Sequence, residues 1–240
     1  LSESTRTDGF AKKFPDRFFE CGVAEQNMAA IAAGLAVSGK IPFISSYATF
    51  SPGKNWETIR TTIIYNNVPV KIAGHHSGIA TGPDGATHQA TEDIAITRSW
   101  PGVQILVPCD SIEAKKATIE SVKFNGPSYL RFTRDKTPVM TTEATPFKPV
   151  SLFWTSENPK AVIFATGYML YHALLAAKEL DIPVLVANVA QIKPLDEKTI
   201  LELVRKTGKV VTVEDHQVMG GLGGAISELL AKNLPVPIEF

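Results

Sequence analysis

Apolar residues in this chain come in short runs without polar alternation, at residues 41–47, 68–73, 103–107, 128–132, 161–165, 183–189 and 210–213. Strands buried on both faces read this way, because neither face needs a polar side chain. Segments of helical character lie between several of them, at 111–123, 170–180, 196–206 and 222–232. The alternation predicts an α/β fold of two domains, each a mostly parallel sheet covered by helices on both faces. From 136 to 160 the pattern dissolves into Thr, Pro and Ser, the composition of an interdomain segment. The expected organisation is a first domain over 1–140, a linker over 141–159 and a second domain over 160–240, with two cores. A last run, 235–240, reads as a strand. With Leu1 in place of a Met, both ends look trimmed.

One segment departs from ordinary helical patterning. Cys21-Gly22-Val23-Ala24 leads into Glu25, Gln26 and Asn27, and the residues from Met28 to Val37 then carry no polar stripe at any helical spacing. Such a helix is predicted to be buried, with Glu25 as its one charge, at its mouth. A carboxylate there needs compensation. Backbone N–H groups of the first turn can supply it, and the helix dipole favours an acid at that end; a ligand that donates to the carboxylate is the other solution.

Composition narrows the classes. Lys plus Arg equals Asp plus Glu at 24 each, so no overall field draws in nucleic acid, and an anion site has to come from local constellations. Cys21 and Cys109, far apart and alone, suggest neither a disulfide framework nor a zinc site and fit a reducing, cytoplasmic setting. The longest apolar run is too short and too Ala-rich to span a bilayer, so no membrane partner is expected.

Ligands of open parallel sheets gather at the carboxyl ends of strands, which directs attention to the loop after run 68–73. It carries Gly74, Gly78, Gly82 and Gly85, and three of the five histidines: His75, His76 and His88. Adjacent His75 and His76 cannot readily face one ion, and the one acid, Asp84, sits between Pro83 and Gly85, so no metal site is predicted. A polar ligand with several hydroxyls or a phosphate suits imidazoles and one carboxylate better.

Together, Gly22-Val-Ala-Glu-Gln-Asn-Met28, Ser45-Ser-Tyr-Ala-Thr-Phe50 and Gly82-Pro-Asp-Gly-Ala-Thr-His-Gln89 closely resemble the pyrimidine-binding domain of transketolase. Ile192-Lys-Pro-Leu195 and His216-Gln-Val-Met-Gly-Gly-Leu-Gly-Gly224 resemble that enzyme's C-terminal domain. The resemblance implies thiamine diphosphate bound between two chains, with Glu25 matching the glutamate that bonds to the aminopyrimidine ring and Tyr47 and Phe50 matching aromatics that hold it. A third aromatic of the family has no counterpart in Ser51-Pro-Gly-Lys-Asn55. Asp84 and His88 match residues near the donor hydroxyls, and Ser4, His76 and Arg134 match the phosphate end of the sugar channel; Glu25 and His88 are the implied catalytic residues. The implied activity is transfer of a two-carbon ketol unit from a ketose phosphate to an aldose phosphate. Within the superfamily the alternatives are a deoxyxylulose phosphate synthase-like subunit, which usually has Asp-Arg where this chain has His75-His76, and a 2-oxoacid dehydrogenase beta-like subunit. A non-catalytic scaffold of the same fold is the alternative of another class.

The family anchors the diphosphate through Mg2+ (or Ca2+) held by a Gly-Asp-Gly element, and this chain has no Gly-Asp-Gly. A partner subunit or domain carrying the diphosphate half is therefore expected, together with self-association across a two-fold axis. Gly220-Gly-Leu-Gly-Gly224 gives G-x-G from Gly221, but Ile226 stands where a dinucleotide fingerprint needs its third glycine, so a tight strand-to-helix turn is predicted there. His216 is expected to be structural or close to a subunit contact, and His172 to be solvated.

Overall fold

The computed structural model describes residues 3–240; the first two residues of the first predicted unit lie outside them. Among the described residues, ten strands form two sheets. They are β1 (Phe43–Tyr47), β2 (Lys71–His75), β3 (Gln104–Leu106), β4 (Ser128–Arg131), β5 (Val150–Trp154), β6 (Ala161–Ala165), β7 (Val184–Val189), β8 (Gln191–Lys193), β9 (Val210–Val213) and β10 (Ile238–Glu239). The first sheet runs β1-β2-β4-β3-β8 and the second β10-β9-β6-β7-β5. All pairs are parallel except β3 with β8 and β5 with β7. Strands β2, β4, β6 and β7 bury nearly every residue, which is why their sequences show apolar runs instead of alternation.

Four expectations need correction. The segment 141–159 is not without regular structure, since Val150–Trp154 pairs antiparallel with β7 at the edge of the second sheet; one face of an edge strand can stay polar, so the run carried no strong apolar signal. The two sheets do not have fully separate cores. Strand β8 leaves the second sheet and closes the first, and the largest buried cluster joins Ile44, Ile72 and Ile105 with Val162, Phe164 and Leu185. Strand β2 begins at Lys71 and runs on through Gly74 and His75, so both belong to the strand and not to the loop. Pro69 cannot donate to a ladder. A Cβ on Gly74 would lie 2.5 Å from the Tyr129 hydroxyl, so only glycine fits there.

The fourth correction concerns the helix Glu25–Val37. Ala29, Ala32, Ala33 and Ala36 are buried, but Ile31 is 40 % and Val37 73 % exposed. The apolar pattern therefore reports two faces: one packed on the first sheet, the other uncovered in this chain and flanked by exposed Phe19 and Val23.

Candidate active site

Tyr47, His75 and Arg131 are the last residues of β1, β2 and β4 and lie side by side in register, Tyr47 opposite His75 and Gly74 opposite Arg131. The carboxyl ends of the three strands thus present the loops that carry the candidate residues. Glu25 opens its helix within reach of the same edge. Its side chain is 2 % exposed, and it does not cap its own helix, for which Ala24 is the N-cap. Oε1 accepts from Ser46 Oγ at 3.4 Å, and Oε2 pairs with Lys54 Nζ at 3.2 Å. Asn55 Nδ2 donates to the Glu25 carbonyl at 3.0 Å and fixes the start of the helix. Lys54 carries no signal of this role in the sequence, since a lone exposed Lys gives no sign of a buried partner.

Beside Ser46, the rings of Tyr47 and Phe50 stack with centroids 6.0 Å apart, and each meets the His88 ring edge-on, at 5.8 and 5.2 Å. The His76 ring is closer still to Tyr47, at 4.3 Å. Aromatic groups at these separations form an adaptable apolar wall with polar edges. Thr87 Oγ1 lies 2.9 Å from His88 Nδ1 and restrains that ring. His76 has φ of +54°, a left-handed conformation uncommon outside glycine, and its carbonyl is held by Thr81 Oγ1 at 2.6 Å. Its Nδ1 is buried with no protein partner, so its hydrogen-bonding capacity there is not taken up by this chain.

The loop then turns through the residues Ile79–Asp84. Arg134 Nη1 pairs with Asp84 Oδ2 at 2.9 Å and donates to the Thr81 carbonyl. Burial, followed by the Arg134 charge, lowers the His76 pKa, while a backbone hydrogen bond at Ser4 and the Asp84 charge oppose this. Ser4, His76, Asp84 and Arg134 are thus one cluster, and His88 links it through Tyr47 and Phe50 to the Glu25 end. The structure brings Tyr47, Phe50, His76 and His88 into one group of rings and pairs Asp84 with Arg134, while Glu25 meets Ser46, the residue before Tyr47. It differs from the predicted division in one respect: Asp84 contacts Arg134 directly, so the hydroxyl and phosphate ends touch.

Burial and the neighbouring His76 push the His75 pKa down from 6.5 to about 4. The fold keeps this ring neutral, whereas an unfolded chain takes up a proton near the ordinary value. The resulting stabilisation is complete above pH 6.5 and disappears as pH falls towards 4, up to about 3 kcal/mol. The melting temperature should therefore fall across that window, and His75→Gln should flatten the slope. An unaltered slope in the variant assigns the acid sensitivity elsewhere.

No group of three or more His, Cys, Asp or Glu side chains suited to a metal occurs among the described residues. The glycine-rich turn is occupied by the protein itself: the Glu214 carboxylate accepts from Leu222 N at 2.7 Å and Gly223 N at 2.9 Å. A helix N-terminus filled by an internal anion cannot take a phosphate. A Cβ on Gly221 would stand 2.1 Å from that carboxylate, so the turn requires glycine. His216 Nε2 accepts from Ala95 N at 3.3 Å across the two sheets, a structural role as expected, and His172 is exposed. No helix among the described residues is long and apolar enough to cross a membrane.

A buried carboxylate beside an aromatic wall, continued by a cluster of imidazole, carboxylate and guanidinium at the carboxyl ends of a parallel sheet, is a site for a large polar ligand in an α/β enzyme fold. Residues 1–140 match the pyrimidine-binding domain of transketolase and residues 154–239 match the transketolase C-terminal domain. The chain belongs to the transketolase family, which depends on thiamine diphosphate. It is 43 % identical over 239 residues to a Methanocaldococcus jannaschii protein provisionally named a transketolase C-terminal section, covering 97 % of this chain and 74 % of that one. It is 38 % identical over 242 residues to a 6-deoxy-6-sulfo-D-fructose transketolase subunit of Clostridium sp., covering 100 % and 75 %. A solved structure described as a split-gene transketolase, inactive β4 tetramer, superposes with a TM-score of 0.90 at 40 % identity, over 100 % of this chain and 79 % of that one.

Proposed function

We propose that this chain is the subunit or part of a transketolase that holds the aminopyrimidine half of thiamine diphosphate and the sugar-phosphate channel, and that with a diphosphate-binding partner it transfers a two-carbon ketol unit from a ketose phosphate to an aldose phosphate. The observation that carries this reading is the continuity of the site: the Glu25 carboxylate, the Tyr47–Phe50 wall and the His76–Asp84–Arg134 cluster follow one another along one edge of the sheet.

The residues fit one half of the cofactor and not the other. Glu25 offers a buried acceptor for a ring nitrogen, and Tyr47 and Phe50 offer faces for a flat heterocycle; a diphosphate-bound cation takes several hard oxygen ligands at once, and no group of three or more His, Cys, Asp or Glu side chains suited to an ion occurs among the described residues. When bound, the cofactor supplies the electron sink that cleavage beside a carbonyl requires. Lys54, 46 % exposed, can swing into solvent when Glu25 accepts from a ligand instead. Such a charge-assisted bond in a dry site is stronger than its counterpart in water. His88, restrained by Thr87, stands where it can hydrogen-bond donor hydroxyls and hold or release a proton there. Arg134 makes both of its loop contacts through Nη1, so the guanidinium can turn its other amino group to a phosphate, with His76 and Ser4 beside it.

Magnesium and the diphosphate would come from a partner subunit or domain, and the uncovered face of the Glu25–Val37 helix is where this reading docks a second chain, in a two-fold assembly. The test is ketol transfer by the assembled enzyme, measured with phosphorylated and unphosphorylated donors. Arg134→Ala should lower kcat/KM for phosphorylated donors roughly 10- to 100-fold, the loss of a charge-assisted contact, with a much smaller change for unphosphorylated ones. Equal losses for both make Arg134 a structural residue, and no ketol transfer by any assembled form overturns the function.

A further inference from the structure

The second sheet has no assigned part in this site, yet one of its residues reaches into it. Asp215 follows β9 and is 8 % exposed. Its Oδ1 accepts from Ile79 N at 3.1 Å, and its Oδ2 accepts from the Tyr168 hydroxyl at 2.9 Å. Ile79 opens the turn that ends at Asp84, the same turn whose Thr81 carbonyl takes Arg134. The backbone of Asp215 is gripped in addition: its carbonyl accepts from Arg131 Nη2 at 2.7 Å, and Arg131 is itself locked by Asp93 through Nε at 2.7 Å and Nη2 at 3.2 Å. Two residues on, Gln217 N donates to the Thr91 carbonyl at 2.7 Å. The 215–217 segment therefore lies across the base of the loop, tied to both its incoming and outgoing ends.

The loop is shaped around this carboxylate. Gly78 has φ of +72°, and a Cβ there would sit 1.7 Å from Asp215 Oδ2, so a side chain at 78 and the carboxylate cannot coexist. Burial, then the Asp215 charge, push the Tyr168 phenol pKa up, which keeps its O–H a donor to Asp215 throughout the neutral range. Strand β8, crossing between the sheets, fixes the second sheet relative to the first.

We propose that Asp215 is a positioning residue for the substrate loop: by holding Ile79 N–H from the second sheet, it sets where Asp84, and with it Arg134, stand in the sugar channel. The C-terminal domain thereby acts on donor binding without touching the donor. The link to donor binding rests on the ketol-transfer reading; the clamp on the loop does not.

The test uses hydrogen exchange by mass spectrometry on the full chain, resolved by peptide, and donor kinetics on the assembled enzyme. Asp215→Ala should raise exchange in the peptide covering 76–89 by about tenfold or more while β6 and β7 stay as protected as before. Asp215→Asn should restore protection, because its amide oxygen can still accept from Ile79 N and its amide nitrogen can donate to the Tyr168 oxygen. In the assembled enzyme, Asp215→Ala should raise donor KM at least tenfold with kcat within about threefold. If Asp215→Ala loses protection everywhere, Tyr168→Phe decides instead: by freeing one carboxylate oxygen it should raise loop exchange two- to threefold in an intact fold. Unchanged loop exchange in the deciding variant, or an Asn variant as loose as the Ala one, overturns the clamp. Loop exchange as expected with no ketol transfer in any assembled form overturns the functional reading and leaves the clamp standing.

Discussion

Glu25→Gln should reduce ketol transfer by at least roughly 100-fold while leaving the melting temperature nearly unchanged. Gln keeps the shape of the side chain and can still meet Ser46, which lies 3.4 Å from Oε1. It loses the negative charge, and with it the ability to stabilise a proton on a ring nitrogen. Removing one preorganised electrostatic partner in other enzymes costs about 100- to 1000-fold in turnover, and the expected loss here is of that order or greater because the Glu25 side chain is 2 % exposed, where charge interactions are least screened. The measurement is the steady-state rate of ketol transfer by the assembled enzyme with donor, acceptor and cofactor all saturating. Turnover above about half of the unmodified level would remove Glu25 from the chemistry, and a large drop in melting temperature would make it a packing residue.

The architecture was legible because the strands at the centre of each sheet, β2, β4, β6 and β7, are buried on both faces, and two-sided burial writes itself as apolar runs. What escaped the sequence was two of the edge strands and whatever depends on distance. Strands β5 and β8 sit at sheet edges and show no unbroken apolar run, and β8 also pairs with a strand about 85 positions away. The helix Glu25–Val37 was legible as apolar, but a pattern cannot say whether the second apolar face is covered by the same chain or another. The site shows the same division. Glu25, Tyr47, Phe50, His76, Asp84, His88 and Arg134 are candidates because the motifs that hold them resemble those of a known family, and the fold sets Tyr47, Phe50, His76 and His88 together and Asp84 against Arg134. Lys54 and Asp215 were not found: each is a charged residue in an unremarkable stretch, and its significance comes entirely from a partner 29 or 136 positions away. The same holds for Glu214, which shows why the glycine-rich turn is not a nucleotide loop: the acid that fills it lies eight residues before the helix N–H it binds.

The largest effect of all should be the dependence on a partner. Calorimetry of this chain alone with thiamine diphosphate and magnesium should show no binding tighter than about millimolar, near 4 kcal/mol of binding free energy, because Glu25, Tyr47 and Phe50 can grip only the aminopyrimidine. The diphosphate carries most of the ligand's charge, and its cation requires several hard oxygen donors at once; no cluster of three acids or imidazoles suited to an ion occurs among the described residues. Adding a diphosphate-binding chain should bring the dissociation constant to the micromolar range or below and switch ketol transfer from undetectable to measurable, and both gains should vanish when magnesium is chelated. Charged substitutions on the uncovered helix face, such as Ile31→Glu or Val37→Glu, should block this gain while leaving the fold intact, since neither side chain is buried in the isolated chain. Micromolar, magnesium-dependent binding by the chain on its own, or ketol transfer without a partner, would overturn the divided site; a partner that assembles normally with both charged variants would move the interface to another face.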